Sequence, residues 1–278
     1  MTGPVDAART SSIPDASGSV PPLSIGAALS ARIATGGKCL VPYITAGLGQ
    51  WQRVAEAVAG AGADAMEIGI PFSDPVMDGP VIQEASDKAL HSGMTPPLAL
   101  NEISRMDMGI PLAVMTYYNL VFRHGDARFA ADLVASGVSG VILPDLPLEE
   151  VGPWKTAADP LGVETILLAA PTADDARLSR ICEASQGFCY AVGLLGVTGV
   201  RDELAGSALT IAKRLKNLTD KPVLIGVGIG SPEQAAQACE VADGVVVGSR
   251  IVSEMLATDS PEAVADLVMS FRAALENG

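Results

Sequence analysis

Apolar residues in this chain gather into short β-branched and aliphatic runs that recur at intervals of roughly 20 to 45 residues, separated mostly by stretches with helical spacing. The runs are CLVPYI (39–44), AMEIGI (65–70), IPLAVMTY (110–117), VSGVIL (138–143), VETILLA (163–169), GFCYAV (187–192), PVLIGV (222–227) and DGVVVG (243–248), eight in all. They are apolar at consecutive positions, as parallel strands covered on both faces should be. Between them, WQRVAEAVAGAG (51–62), DARFAADLVASG (126–137), DDARLSRICEASQG (174–187) and SPEQAAQACEVA (231–242) place apolar residues three and four apart. Several close on Gly, where helices commonly stop. Ser231-Pro232-Glu233 reads as a cap followed by Pro in the first turn. Eight β/α units without a break in composition predict an α/β fold, a (β/α)8 TIM barrel over residues 23–278. An extra N-terminal helix (SIGAALSARIATGG, 24–37) precedes its first strand. A doubly wound open sheet would carry the same alternation.

Composition narrows the function mainly by exclusion. A net charge of -14 argues against a phosphate backbone or an anionic membrane as the main partner, since both call for a basic face. Residues 1–22 are rich in Pro, Ser, Gly and Ala and lack the basic and apolar regions of a signal peptide, so a disordered tail is expected there. No apolar run approaches the roughly 20 residues of a membrane-spanning helix. Cys39, Cys182, Cys189 and Cys239 form no CxxC pair and read as reduced, buried thiols of a cytoplasmic protein.

In such a barrel the chemistry sits at the C-terminal ends of the strands. The chain has two histidines, His91 beyond a helix and His124 after the third strand, and no metal-ligand spacing around them. Lys38, Lys88, Lys155, Lys213, Lys216 and Lys221 fall in helices or before strands, which disfavours imine chemistry. Carboxylates remain. Glu67 stands inside MEIGI, where its neighbours should be dry, and burial should raise its pKa toward neutrality. A carboxyl group that gives and takes a proton near pH 7 suits general acid–base work. On the loop that follows, Asp78 is the better candidate for substrate contact than Asp74, whose Ser-Asp-Pro setting suits a turn.

A second constellation is glycine-rich: GVGIGSPEQ (226–234) and GVVVGSR (244–250) turn from the last two strands into helix N-termini, where backbone N–H groups can cradle a phosphate. Tyr43, Met115, Ile142 and Tyr190, from four different strands, could wall an apolar slot between carboxylates and phosphate turns. For Met115 and Ile142, filling the barrel core is an equally good reading.

These residues, in this order, resemble the α subunit family of tryptophan synthase, the indole-3-glycerol-phosphate lyases. The pattern E-x-G-x-P-F-S-D-P-x-x-D-G-P is matched by Glu67 through Pro80, and VPYITAG (41–47), YYNLVF (117–122), PDLPLEE (144–150), GVTG (196–199) and GVGIGSPEQ extend the similarity over nearly all of 24–256. The resemblance implies cleavage of indole-3-glycerol phosphate to indole and glyceraldehyde 3-phosphate, with no cofactor in this subunit. It makes Glu67 and Asp78 catalytic, the second stabilising charge on the indole ring and accepting the N1 proton. Tyr43 and Tyr190 would border the indole, and Gly199, Gly228, Gly248 and Ser249 would hold the phosphate. Thr198 would belong to a loop closing over the substrate. It further implies a pyridoxal-phosphate β subunit as partner, in an α2β2 assembly. Gly193-Leu194-Leu195 and Val227 depart from the family pattern. A free-standing lyase, a catalytically silent activator of a β subunit and another phosphate-binding barrel are the competing readings.

Overall fold

In the computed structural model, which describes residues 23–193 and 206–277, each apolar run supplies one strand of a closed, all-parallel barrel ordered β1 to β8. The strands are β1 Cys39–Thr45, β2 Met66–Gly69, β3 Leu112–Met115, β4 Gly140–Ile142, β5 Glu164–Ala169, β6 Cys189–Ala191, β7 Val223–Ile225 and β8 Gly244–Val247. Helix α1 (Ile25–Ala34) precedes them; α2 (Trp51–Gly60) follows β1, and α3 (Pro80–His91) and α4 (Pro96–Ile103) follow β2. After β3 come α5 (Tyr118–His124) and α6 (Asp126–Ala135), after β4 α7 (Val151–Ala158), and after β5 α8 (Asp175–Ala184). Helices α9 (Gly206–Lys216), α10 (Pro232–Cys239), α11 (Ser249–Thr258) and α12 (Pro261–Asn277) complete the shell. The residues expected as a disordered tail, 1–22, lie outside the described residues, as do Thr198 and Gly199.

Closure follows from register. Tyr43 pairs with Glu67 and Glu67 with Ala113, while Pro42 of β1 meets Val247 of β8. Alternate residues enter two apolar clusters: Leu40 and Ile44 join the shell between strands and helices, whereas Cys39 and Val41 join an inner core with Ala113, Ile142, Ile166, Phe188, Leu224 and Val246. Two completely buried residues of α1, Ile25 and Leu29, join that inner core and plug the N-terminal end of the barrel.

The plug is held by charge as well as packing. Glu164 of β5 accepts from the Ser24 hydroxyl (2.9 Å) and from the free backbone N–H groups of Ile25 (2.7 Å) and Gly26 (3.1 Å). A carboxylate against a helix N-terminus satisfies donors that the helix itself leaves open. Ser231 caps α10 in the expected way, with Pro232 in its first turn. The run 110–117 yields a shorter strand than its length suggests, because Thr116 and Tyr117 leave the sheet for the barrel mouth. His91 is the last residue of α3 rather than beyond it, and all four cysteines are buried free thiols. No helix among the described residues is long and apolar enough to cross a membrane.

Candidate active site

β2 is buried along its whole length, and its inward row carries Ala65, just before the strand, Glu67 and Gly69. Glu67 is 1% exposed, and its Oε2 has no hydrogen-bond partner among the described residues. Burial pushes its pKa up to about 8, with the charge of Asp78 adding to the effect. A polar atom left open in a dry interior costs roughly 1–3 kcal/mol unless something arrives to bind it. Thr116 Oγ1, at the end of β3, is buried and open in the same way.

Asp78 is delivered by the turn between β2 and α3. Asp78 N–H donates to Pro75 O (3.0 Å), Val76 N–H to Asp74 O (2.9 Å), and Gln83 Nε2 returns from α3 to Asp78 O (2.8 Å). Asp74 takes the Ser73 hydroxyl (2.6 Å) and stays exposed, as a turn residue does. The Asp78 carboxyl is raised to about 6 by burial, against the influence of the neighbouring Tyr117 hydroxyl, which lowers it. Two carboxyl groups therefore stand close together with pKa values on either side of neutrality, the condition for one acid and one ionised partner.

Two tyrosines complete the wall. A Cβ at Gly69 would strike the Tyr43 hydroxyl, and one at Gly226 the Tyr190 ring, so each phenol lies in space that a glycine leaves empty. Burial raises both phenols; Glu67 and Asp78 act on each of them, which brings Tyr43, Glu67, Asp78 and Tyr190 into one cluster. Met115 is half-buried at the top of β3, while Ile142 is completely buried within the inner core. Tyr117, one of the strand-end residues that the sequence marks for inspection, is 3% exposed, and what it touches was not legible from sequence.

The glycine turns sit on the neighbouring arc. Gly228 has φ +85°, a conformation a side chain would strain, and Gly230 N–H donates to Gln234 Oε1 (2.7 Å). Gly248 is the N-cap of α11, whose first residue is Ser249, so the cap position itself has no side chain to bond the first N–H groups. Such an end offers open N–H groups to an anion. Among the described residues no three His, Cys, Asp or Glu side chains converge as a metal site would require.

Comparison with known proteins gives one family. The profile described as tryptophan synthase alpha chain matches residues 29–277. A relative of that name from Thermobifida fusca is 41% identical over 252 residues, covering 88% of this chain and 93% of its own. Another from Gloeobacter violaceus is 45% identical over 228 residues, covering 80% and 82%. Among solved structures, tryptophan synthase of Mycobacterium tuberculosis superposes with a TM-score of 0.84 at 35% identity, over 91% of this chain and 98% of that one. Tryptophan synthase subunit alpha from Legionella pneumophila gives 0.83 at 31%, over 92% and 100%.

Proposed function

The chain belongs to the tryptophan synthase alpha chain family, and on that premise we propose that Glu67 and Asp78 divide the proton transfers of its reaction between them. The enzyme is a lyase that cleaves indole-3-glycerol phosphate to indole and glyceraldehyde 3-phosphate. The bond to be broken joins indole C3 to the glycerol chain. The chain departs as an aldehyde, so the bonding electrons must return to the ring. C3 therefore takes up a proton before cleavage, and the chain hydroxyl loses one as the carbonyl forms. Glu67, protonated at neutral pH by its burial, gives the first proton and as the carboxylate takes the second. Between those transfers the ring is cationic at N1–H, and an ionised Asp78 stabilises that charge.

The observation that carries this reading is the Oε2 of a buried Glu67, without a hydrogen-bond partner among the described residues and beside a second carboxyl group. Tyr43, Met115, Ile142 and Tyr190 wall and floor the indole site, and Gly199, Gly228, Gly248 and Ser249 hold the phosphate. Thr198 belongs to the loop that closes over the substrate. The partner is a tryptophan synthase β subunit in an α2β2 assembly in the cytoplasm, with pyridoxal phosphate in that subunit and no cofactor in this one.

The test is release of glyceraldehyde 3-phosphate from indole-3-glycerol phosphate by the purified chain, with and without a β subunit. Partner-stimulated activity that falls by about a hundredfold or more in both Glu67→Gln and Asp78→Asn is expected. A variant that keeps the wild-type rate overturns the role given to that residue, and activity indifferent to the partner overturns the coupling.

A further inference from the structure

Asp78 stands on a turn with no strand or helix of its own, yet its charge has to meet the substrate in one place. The residue that ties this turn to the barrel is Tyr117, just beyond β3. Its hydroxyl accepts the Met77 N–H (2.9 Å), and its ring stacks on Phe72 at 5.0 Å with a 28° tilt. Tyr117 is itself fixed from below: its carbonyl accepts Leu120 N–H (3.0 Å) as α5 begins, and Tyr118 N–H donates to Asp145 Oδ1 (2.8 Å). A phenol has one proton to give. With Met77, the residue before Asp78, supplying its hydrogen bond as donor, the Tyr117 proton is left unused by that bond, and the Asp78 carboxyl is near enough for its charge to act on this phenol.

We propose that Tyr117 is a positioning residue for the cleavage: its hydroxyl, anchored by the Met77 amide and by stacking on Phe72, donates to the Asp78 carboxylate and fixes where that charge meets the indole ring. This rests on the role given to Asp78 above. It also adds to the difference between two neighbouring carboxyl groups. Burial raises both carboxyl groups, Glu67 the further, and at Asp78 the neighbouring Tyr117 hydroxyl pulls the other way, toward the charged form. The other titratable groups of this cluster are Glu67 of β2, Tyr43 of β1 and Tyr190 of β6, with Asp145 after β4 acting on Tyr117. Burial raises all three phenols, so they stay neutral through the working pH range, and Glu67 is protonated below about 8.

Tyr117→Phe removes the oxygen and keeps the ring. In the complex with a β subunit, kcat at pH 7 should fall about tenfold, the scale of a lost hydrogen bond to a charged group, while KM changes less than about twofold. The acidic limb of kcat should move to higher pH, because without the donor Asp78 protonates more readily. Thermal unfolding of the variant is followed in parallel, and the reading is taken where it is folded. An unmoved acidic limb, or a rise in KM alone, would mean that Tyr117 only packs the turn and would overturn the proposal. Asp78→Asn is assayed beside it: if that variant is inactive while Tyr117→Phe behaves as wild type, only the role of Tyr117 fails. If Asp78→Asn is fully active, the role of Asp78 fails and takes this one with it.

Discussion

Glu67 does not improve the fold where it stands. An apolar side chain at that point in MEIGI would bury without penalty, whereas the carboxyl stays protonated well above the pH at which it would ionise in water. Linkage gives the sign of the consequence. The folded pKa, about 8, lies above the unfolded value of 4.5, so the unfolded chain releases its proton first and stability is lost as pH rises between the two. Glu67→Gln, neutral and nearly isosteric, should therefore melt close to wild type near pH 4 and progressively higher than wild type toward pH 9. The gap should reach the order of a few kcal/mol, read as Tm or urea midpoint against pH. A variant less stable than wild type at pH 9 would mean that the carboxylate is well solvated or paired in the native state. Glu67 was legible in the sequence because a charge inside an apolar run violates the local pattern. Tyr117 was legible only as a strand-end position, because its contact is with an amide 40 residues away and nothing nearby in the sequence is unusual.

At the scale of elements, the sequence was most legible where the physics is local. Parallel strands wrapped by helices are apolar on both faces, so the eight runs stood out, and all eight became strands. Their C-terminal ends were less legible. The residues that leave the sheet there, such as Ile70, Thr116 and Tyr117, continue the apolar or β-forming pattern while serving the barrel mouth. The tie between α1 and β5 was also invisible, since Glu164 and Ser24 are separated by 140 residues and neither is unusual alone. That tie carries its own prediction. Glu164→Ala leaves the first N–H groups of α1 without their carboxylate and should cost about 1–2 kcal/mol in denaturant unfolding, with kcat unchanged, since it acts at the end of the barrel opposite the site. Equal stability would show that Ser24 and water suffice as the cap, and a large loss of kcat would mean that the plug is coupled to the mouth.

Across the whole molecule, the barrel separates its tasks by end. The N-terminal end is sealed by α1 and laced by ion pairs: Arg272 of α12 donates to Lys38 O (2.8 Å) and Gly62 O (2.9 Å) and pairs with Asp64, whose Oδ2 also accepts Leu40 N–H (2.8 Å). The C-terminal end instead keeps open hydrogen-bonding atoms, Glu67 Oε2 and Thr116 Oγ1, and gathers two carboxyl groups between tyrosines. With a net charge of -14, the overall field of the chain does not favour an anionic substrate, so the phosphate site proposed above would draw on the local backbone dipoles of the glycine turns. What joins these levels is the claim that one carboxyl is held protonated and the other ionised at neutral pH. The most direct measurement is a titration of the carboxyl carbons by 13C NMR on the free chain from pH 4 to pH 10, with signals assigned by their loss in Glu67→Gln and Asp78→Asn. Glu67 titrating near 8 and Asp78 near 6, with the Glu67 value falling in Asp78→Asn, is the expected result. Both groups titrating together in the ordinary carboxylate range would contradict the division of labour at its root.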